Sequence, residues 1–174
     1  MDSRKSVIRA FRFIISLVKP PPDVSWITSS LAVGGTLLPR QFAGLAQMGI
    51  QAVVDVREEG RDDERLLAQH GIHLLHLPVR DYWPPSQSQL LQGTDWVLGQ
   101  LKAGRKTLLH CKNGVGRSIV LGCCVLMRQE YDLGRAVRLV KARRQGVDLN
   151  RRQMFALEQF NTPSNVGVPH LGSW

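Results

Sequence analysis

From Val24 onward, short apolar runs alternate with stretches that have helical periodicity. Runs typical of strands cover residues 24–27, 31–33, 51–56, 72–77 and 106–110. Helical patterns cover residues 40–48, 62–70, 87–101, 117–129, 133–144 and 151–160, and Ser86 is placed to cap the third of them. Strands that alternate with helices predict a single α/β domain in which helices flank a central, mostly parallel sheet of about four or five strands.

The first 19 residues follow a different pattern. Basic residues are mixed with an apolar stripe at helical spacing, and Pro20 to Pro22 end the segment. Three interpretations remain open: a helix packed on the domain, an interfacial helix that contacts a membrane through residues 4–19, or an Arg-rich mitochondrial targeting segment. We therefore divide the chain into a leader with a Pro-rich linker (1–23), a main domain (24–162) and a tail (163–174). The stripe consists of Val7, Ile8, Phe11, Ile14, Ile15 and Val18.

The composition indicates the class of protein and the compartment in which it is expected. The chain has 174 residues, of which 43% are hydrophobic and 21% charged, which is ordinary for one globular domain. It contains no run of about 20 apolar residues, so no membrane-spanning helix is expected. Three cysteines make no disulfide framework, and an odd count favours a reducing compartment, by default the cytoplasm.

The positive charge is confined to two segments. The chain carries a net charge of +9, and residues 1–19 and 128–152 account for all of it. Either segment could attract an anionic substrate or surface, or could simply be a solvated basic face. The basic runs lack interleaved aromatic residues, so nucleic acid is not the expected partner.

A glycine-bearing loop follows the last predicted strand and leads into a predicted helix. It reads His110-Cys-Lys-Asn-Gly-Val-Gly-Arg-Ser118. Its two glycines permit a tight path that turns successive N–H groups toward one point, and the helix N-terminus adds the positive end of its dipole. The pattern predicts an anion site formed by Lys112, Asn113, Gly114, Val115 and Gly116.

The same loop carries side chains suited to phosphoryl transfer. The field that binds an anion also stabilises a thiolate, so Cys111 is expected to have a lowered pKa and to act as the nucleophile. Arg117 offers a planar fork for two phosphoryl oxygens. Ser118 can donate a hydrogen bond to the sulfur and help it leave. His110 is expected to support the loop by hydrogen bonding.

These residues resemble the active-site loop of the protein tyrosine phosphatase superfamily, in which His-Cys-x5-Arg-Ser lies between a strand and a helix. Segments 31–35, 53–57 and 77–86 extend the similarity to its short, atypical dual-specificity branch, over roughly residues 25–160. The resemblance implies the dual-specificity phosphatase fold and hydrolysis of phosphate monoesters through a phosphocysteine intermediate. It implies no cofactor, and no cluster in the sequence has metal-ligand spacing.

Asp81 is the candidate general acid and base. It lies 30 residues before Cys111, on a predicted loop that Pro84 and Pro85 would stiffen, and the family's general acid occupies a matching position. Other carboxylates fit less well, because Asp55 lies in a buried strand, Asp62 and Asp63 begin a charged helix, and Asp95 lies inside one.

The substrate remains open at this point. The resemblance to the short dual-specificity branch implies a shallow pocket for phosphotyrosine and for phosphoserine or phosphothreonine in proteins. Lys112 resembles the His-Cys-Lys start of phosphatases that act on phosphoinositides and phosphatidylglycerophosphate, which makes an anionic phospholipid at a membrane surface the alternative. Val115 replaces a basic residue found in several of those enzymes, which weakens that alternative. An RNA 5′-triphosphatase and a phosphate- or nucleic-acid-binding module are minor alternatives.

Two further cysteines lie in the helix after the loop. Cys123 and Cys124 belong to an apolar run, and burial is the interpretation that this pattern favours.

Overall fold

Five strands join into one mixed sheet in the computed structural model, which describes residues 21–161. The strand order is β1-β2-β5-β3-β4, with β1 antiparallel to β2 and every other neighbouring pair parallel. The predicted α/β class and mostly parallel sheet are thus confirmed. The leader helix predicted within residues 1–19 and the tail from residue 163 lie outside the described residues. The strands are β1 (Val24–Trp26), β2 (Leu31–Gly34), β3 (Ile50–Arg57), β4 (His73–Val79) and β5 (Lys106–His110).

Helices cover both faces of this sheet. A 3-10 turn, Pro39–Gln41, precedes the first of them, and none of the helices among residues 21–161 is long and apolar enough to cross a membrane. The helices are α1 (Phe42–Gln47), α2 (Glu64–Gln69), α3 (Gln87–Lys102), α4 (Arg117–Arg128), α5 (Leu133–Arg143) and α6 (Arg151–Phe160).

Alternate residues of the central strands face two separate cores. Val53 and Leu108 face a smaller cluster under α1 and α2, whereas Val54 and Leu109 face a larger one under α3 to α6. Because side chains of a strand point to opposite faces in turn, a strand buried on both sides needs apolar residues at nearly every position. This explains the unbroken apolar runs in β3 and β5. The helix α4 packs at the centre of the larger cluster, and its residues from Arg117 to Leu126 are all buried.

Two predicted helices are shorter in the structure than in the sequence pattern. The helix expected over residues 40–48 is divided into the 3-10 turn and α1, because Pro39 begins the turn. The helix expected from residue 62 begins only at Glu64, since the Asp63 carboxylate caps it by accepting from the N–H groups of Arg65 and Leu66. Asp62 therefore does not begin a helix, and its side chain is buried.

Other boundaries agree with the pattern to within one or two residues. Ser86 caps α3 as predicted: its hydroxyl accepts from the Gln89 N–H, and the Gln89 side chain accepts from the Ser86 N–H. Strand β4 continues to Val79, two residues beyond its predicted end.

The register of the sheet gathers three loops at one edge. His110, the last residue of β5, lies beside Gly34 of β2 and Asp55 of β3, and all three strands run in the same direction. The loops that follow these strands therefore leave from the carboxyl edge of the sheet, where ligands of parallel α/β folds bind.

Candidate active site

The loop between β5 and α4 curls around the sulfur of Cys111. Two hydrogen-bond donors point at it: the Gly114 N–H donates to Sγ at 3.2 Å, and the Ser118 hydroxyl donates to it at 3.4 Å. Gly114 has a φ of +66°, and a Cβ at this position would lie 2.5 Å from the Gly34 carbonyl. Only glycine allows both this backbone conformation and this close approach.

These contacts favour the thiolate form of Cys111. Burial of the side chain, which is 3% exposed, acts to raise the pKa. Hydrogen bonds from the hydroxyl and backbone of Ser118 and from the Gly114 N–H, together with the charge of Arg117, outweigh that effect and lower the pKa below its ordinary value. Its contacts and lowered pKa therefore suit the predicted role of Cys111 as a nucleophile.

Arg117 begins α4 and is almost completely buried. Its Nη1 and Nη2 donate to the two carboxylate oxygens of Glu59 at 2.7 Å each, and Nη1 also donates to the Val79 carbonyl at 2.8 Å. Nη2 forms an ion pair with Asp81 at 3.0 Å. A guanidinium held by several acceptors keeps its plane fixed, so the fork is oriented before any phosphate arrives.

Glu59 was not identified from the sequence. Its hydrogen bond with Arg117 lowers its pKa from the ordinary 4.5 to about 2, so this partner stays ionised through the mildly acidic range. The relevant signal was its position: Glu59 follows β3, whose carboxyl end lies beside that of β5. Among several acidic residues in that loop, the sequence does not show which one turns toward Arg117.

A buried ionic network anchors the loop that carries Glu59. The Arg57 guanidinium donates to Asp55 at 2.9 and 2.8 Å and to Asp62 at 2.7 Å. Nε2 of His110 lies 2.8 Å from the other oxygen of Asp62. His110 was predicted to support the loop of residues 110–118, which we call the phosphate loop. Its side chain bonds to the neighbouring loop and connects the end of β5 to it.

A second arginine that the sequence analysis missed fixes the phosphate loop from behind. Arg144 is buried and donates to the carbonyls of Asn113 and Gly114 at 2.9 and 3.0 Å. Asp23 accepts from both of its terminal nitrogens at 2.6 Å, and this hydrogen bonding lowers the Asp23 pKa. Because these carbonyls are held outward by Arg144, the neighbouring N–H groups are free to point inward at the anion site.

Arg144→Lys is expected to weaken this support and raise the Cys111 pKa. Lysine cannot bond two carbonyls and a carboxylate together, so the Gly114 N–H would lose its alignment on the sulfur. We expect the acidic limb of the kcat/KM profile to shift upward by about one pH unit, which is about tenfold in thiolate fraction at low pH. The measurement is the pH dependence of aryl phosphate turnover, supported by the pH dependence of iodoacetate alkylation.

Arg143→Lys is the matched control, because Arg143 is the exposed neighbour of Arg144. It should leave the profile at its wild-type position. Identical profiles for the two variants would show that Arg144 does not position the loop.

Asp81 lies at the rim of the site. Its Oδ1 accepts from the Tyr82 N–H at 3.1 Å and forms the ion pair with Nη2 of Arg117. Tyr82 has a φ of +64°, uncommon for a tyrosine, and its carbonyl accepts from the Asn150 side chain at 2.8 Å. This turn directs Asp81 inward, and Tyr82 itself remains 76% exposed.

Cys111, Arg117 and Asp81 meet in a cavity of about 150 Å³. Asn113, Val115 and Gly116 line it as predicted residues of the anion site. Gly114 is not among the lining residues although its N–H contacts the sulfur, and the Lys112 side chain is exposed to solvent. Helix α6 and the segment before it supply three lining residues that the sequence analysis did not identify: Asp148, Asn150 and Gln153. The volume suits a phosphoryl group and the first atoms attached to it.

A family model described as "Polymorphic toxin system, DSP-PTPase phosphatase" matches residues 32–130. That segment is more than half of the chain, and it contains most of β2, all of β3 to β5, the phosphate loop and α4. The chain belongs to the DSP-PTPase phosphatase family. The resemblance read from the phosphate loop is thereby confirmed.

Individual relatives of this DSP-PTPase domain are distant. The chain is 25% identical over 107 residues to a phosphatidylglycerophosphate phosphatase, PTPMT1, of Arabidopsis thaliana. It is 36% identical over 62 residues to cyclin-dependent kinase inhibitor 3 of Rattus norvegicus. These matches cover 60% and 36% of this chain but only 32% and 29% of those two proteins.

A solved structure matches the DSP-PTPase domain over nearly all of its own length. The crystal structure of Tk-PTP in its active form superposes with a TM-score of 0.74 at 28% sequence identity. The superposition covers 79% of this chain and 95% of that one. The predicted dual-specificity phosphatase fold is therefore confirmed.

The remaining cysteines of the DSP-PTPase domain lie in its core. Cys123 and Cys124 are fully buried in α4, and burial raises the pKa of Cys123 to about 12 and that of Cys124 well above its ordinary value. Both thiols stay protonated at neutral pH. They pack in the larger apolar cluster as the sequence pattern predicted.

One cluster of this DSP-PTPase domain has the residue types of a metal site. Ligand atoms of Asp55, Asp62 and His110 lie within 4.8 Å of one another. The guanidinium of Arg57, however, lies 2.8 and 2.7 Å from the two carboxylates. The positive charge of Arg57 already balances the two carboxylates, so we interpret this cluster as an ionic network that holds the neighbouring loops together.

Proposed function

We propose that this chain hydrolyses phosphate monoesters through a phosphocysteine formed on Cys111, and that its substrates are proteins phosphorylated on tyrosine and on serine or threonine. The observation that carries the proposal is the placement of a Cys111 thiol of lowered pKa beside the oriented fork of Arg117 in one small cavity. Family membership and the exposed Tyr82 rim, which leaves the cavity mouth accessible to a protein surface, support protein substrates.

In the first step the Cys111 thiolate attacks phosphorus. The backbone N–H groups of the loop and the start of α4 bind the phosphoryl oxygens, while Arg117 stabilises the charge spread over them during transfer. A phosphoryl oxygen that binds Nη2 of Arg117 takes the place of the Asp81 carboxylate now found there. Displacement moves Asp81 toward the leaving-group side of the pocket.

Asp81 then serves both halves of the reaction. In its acid form it protonates the departing oxygen as the S–P bond forms, and as a carboxylate it accepts a proton from the water that attacks phosphocysteine. The second step releases phosphate and returns the sulfur as a thiolate. The Ser118 hydroxyl, 3.4 Å from Sγ, stabilises that leaving thiolate.

Asp81→Asn is expected to slow turnover most for poor leaving groups. An amide cannot protonate an alkoxide, so kcat/KM should fall by about 10²-fold or more for an alkyl phosphate and much less for p-nitrophenyl phosphate. The measurement is kcat/KM for a series of aryl and alkyl phosphates plotted against leaving-group pKa, because kcat/KM reports departure of the leaving group and excludes the later hydrolysis step. Asp95→Asn, at an exposed position of α3, is the control and should retain the wild-type slope. An unchanged slope in Asp81→Asn would remove Asp81 from the acid role.

A phospholipid phosphatase is the second candidate function. Lys112 supports it, because the loop holds the Lys112 carbonyl through the N–H and hydroxyl of Thr36 at 2.9 and 3.0 Å while its charged side chain projects into solvent. That charge is available to an anionic head group. The name of the Arabidopsis thaliana relative, a phosphatidylglycerophosphate phosphatase, points the same way.

A substrate panel tests the proposed function. It compares phosphotyrosine and phosphothreonine peptides with phosphoinositides, phosphatidylglycerophosphate and RNA 5′-triphosphate, using the Cys111→Ser variant as the blank. Protein substrates are supported if both peptides are turned over faster than every lipid at equal concentration. Faster turnover of a lipid that depends on Lys112 would favour the second candidate instead.

A further inference from the structure

A second and larger depression lies on the other side of the loop that carries Asp81. It has a volume of about 710 Å³, against about 150 Å³ for the phosphate cavity. We propose that this groove binds the part of a phosphoprotein substrate next to the phosphorylated residue, through a bulky apolar side chain and an acidic side chain. The inference rests on the proposed function and adds a substrate preference to it.

The groove and the phosphate cavity are built from the same two elements. Along the loop, Asp81 and Tyr82 line the cavity, whereas Arg80 and Trp83 line the groove. The backbone of Tyr82 has a positive φ, and its carbonyl accepts from the Asn150 side chain. This turn separates Asp81 and Tyr82, which face the cavity, from Trp83, which faces the groove.

Residues of helix α6 also line both pockets. Its Gln153 lines the phosphate cavity, whereas Arg152 and Phe155 line the groove. Because the two pockets share these walls, the neighbours of a phosphorylated residue seated over Cys111 can reach the groove.

The groove presents apolar surface to solvent. Trp83 is 43% exposed and Phe155 is 58% exposed, and both are among the few large apolar side chains that residues 21–161 leave exposed. Burying such surface is favourable in proportion to its area, so an apolar side chain of a substrate gains by entering here.

Hydrogen bonds between side chains and backbone join the walls of the groove. The Gln87 and Gln89 side chains donate to the carbonyls of Ala156 and Pro78 at 2.9 and 2.8 Å. Pro84 and Pro85 form part of the wall, and a proline has no N–H with which to pair an incoming strand. Along this part of the wall, recognition therefore depends on side chains of the ligand.

The charge of the groove favours an acidic peptide over lipid tails. Arg80 and Arg152 line it, and no carboxylate lines it among the residues that the structure describes. Arg152 lies over the Trp83 ring at 4.2 Å, which leaves its guanidinium edge available to an anion. Acyl chains carry no charge and would leave both arginines unmatched, whereas an aspartate or glutamate beside an apolar residue matches the whole groove.

The test is the binding of two labelled phosphotyrosine peptides to the full chain carrying Cys111→Ser, which prevents turnover. One peptide has glutamate and leucine on each side of the phosphotyrosine, and the other has serine at those positions. We expect fluorescence anisotropy to give about tenfold tighter binding of the first peptide. Adding Arg152→Glu or Phe155→Ser should reduce that preference to about twofold or less.

Arg151→Glu is the matched control, since Arg151 is an exposed residue of α6 that lines neither cavity. It should retain the full preference between the two peptides. Equal binding of both peptides, or equal effects of Arg151→Glu and Arg152→Glu, would overturn the groove proposal. Thermal unfolding of each variant checks that it is folded. Because the substituted side chains are exposed, we expect every variant to fold.

A binding experiment with lipid vesicles distinguishes a lipid ligand of the groove from a peptide ligand. Vesicles that contain phosphatidylinositol phosphate are bound to the same variants, and the peptide proposal is overturned if Phe155→Ser weakens vesicle binding but leaves the peptide preference intact. Because binding is measured without turnover, failure of the phosphatase proposal would appear separately, as absent hydrolysis of every phosphate ester by the wild-type chain.

Discussion

Cys111→Ser is expected to reduce turnover of an aryl phosphate by at least about 10⁴-fold while the protein remains folded. The serine hydroxyl ionises far less readily than the thiol, and the contacts that lower the Cys111 pKa cannot make an alkoxide at neutral pH. Serine also fits the space of the cysteine, so packing beside Gly114 and Ser118 is retained. The measurement is p-nitrophenyl phosphate hydrolysis alongside thermal unfolding followed by circular dichroism.

Cys124→Ser is the matched control for this variant. Cys124 is a fully buried thiol with a raised pKa, so the substitution places a hydroxyl in an apolar core and should lower stability by about 1–3 kcal/mol. Its turnover below the unfolding temperature should stay within about threefold of the wild type, because a protonated core thiol takes no part in the reaction. Substantial turnover by Cys111→Ser would refute the phosphocysteine mechanism.

The lowered pKa of Cys111 also gives Cys111→Ser a defined pH signature. A thiol whose pKa is lower in the folded state than in the unfolded state stabilises the fold fully above the unfolded pKa. That contribution is lost as the pH falls through the folded pKa. The stability of the wild type relative to Cys111→Ser should therefore rise with pH across this interval, and a flat difference would contradict a thiolate in the folded protein.

Arg117→Lys is expected to lower kcat/KM by about 10³-fold, the second largest effect. The guanidinium donates to Glu59 through two nitrogens and to the Val79 carbonyl. In the proposed mechanism the same rigid plane also binds a phosphoryl oxygen, at the nitrogen that now faces Asp81. A lysine ammonium is a point charge and cannot maintain these directions together. Binding of a phosphate analogue such as vanadate should weaken along with kcat, because the fork acts in both the ground state and the transition state.

Arg128→Lys provides the comparison within the same helix. Arg128 ends α4, and its contact with Asp95 is 3.5 Å long and partly exposed, so replacing it should change neither activity nor vanadate binding beyond about twofold. If Arg117→Lys kept wild-type vanadate affinity, the conclusion that the Arg117 guanidinium binds phosphate would be wrong.

Much of the fold followed from local pattern. Continuous apolar runs identified β3 and β5 because strands buried on both faces need apolar residues at nearly every position, and Ser86 marked the start of α3 through its capping chemistry. Where the predicted start of α2 was wrong, a single polar side chain made the difference. Asp62 has the composition of a helix start, yet its ion pair with Arg57 draws it into the core and leaves Asp63 as the cap.

The sequence by itself determined the candidate nucleophile and the loop that carries it. Cys111, Gly114, Arg117 and Ser118 lie within eight consecutive residues, so the geometry of one turn into a helix brings them together wherever the rest of the chain lies. Only the tertiary structure decided what holds them in place. Glu59 is 58 residues from Arg117, and Asp23 is 121 residues from Arg144. No local pattern selects such partners, because they meet only when parallel strands bring distant loops to one edge of the sheet.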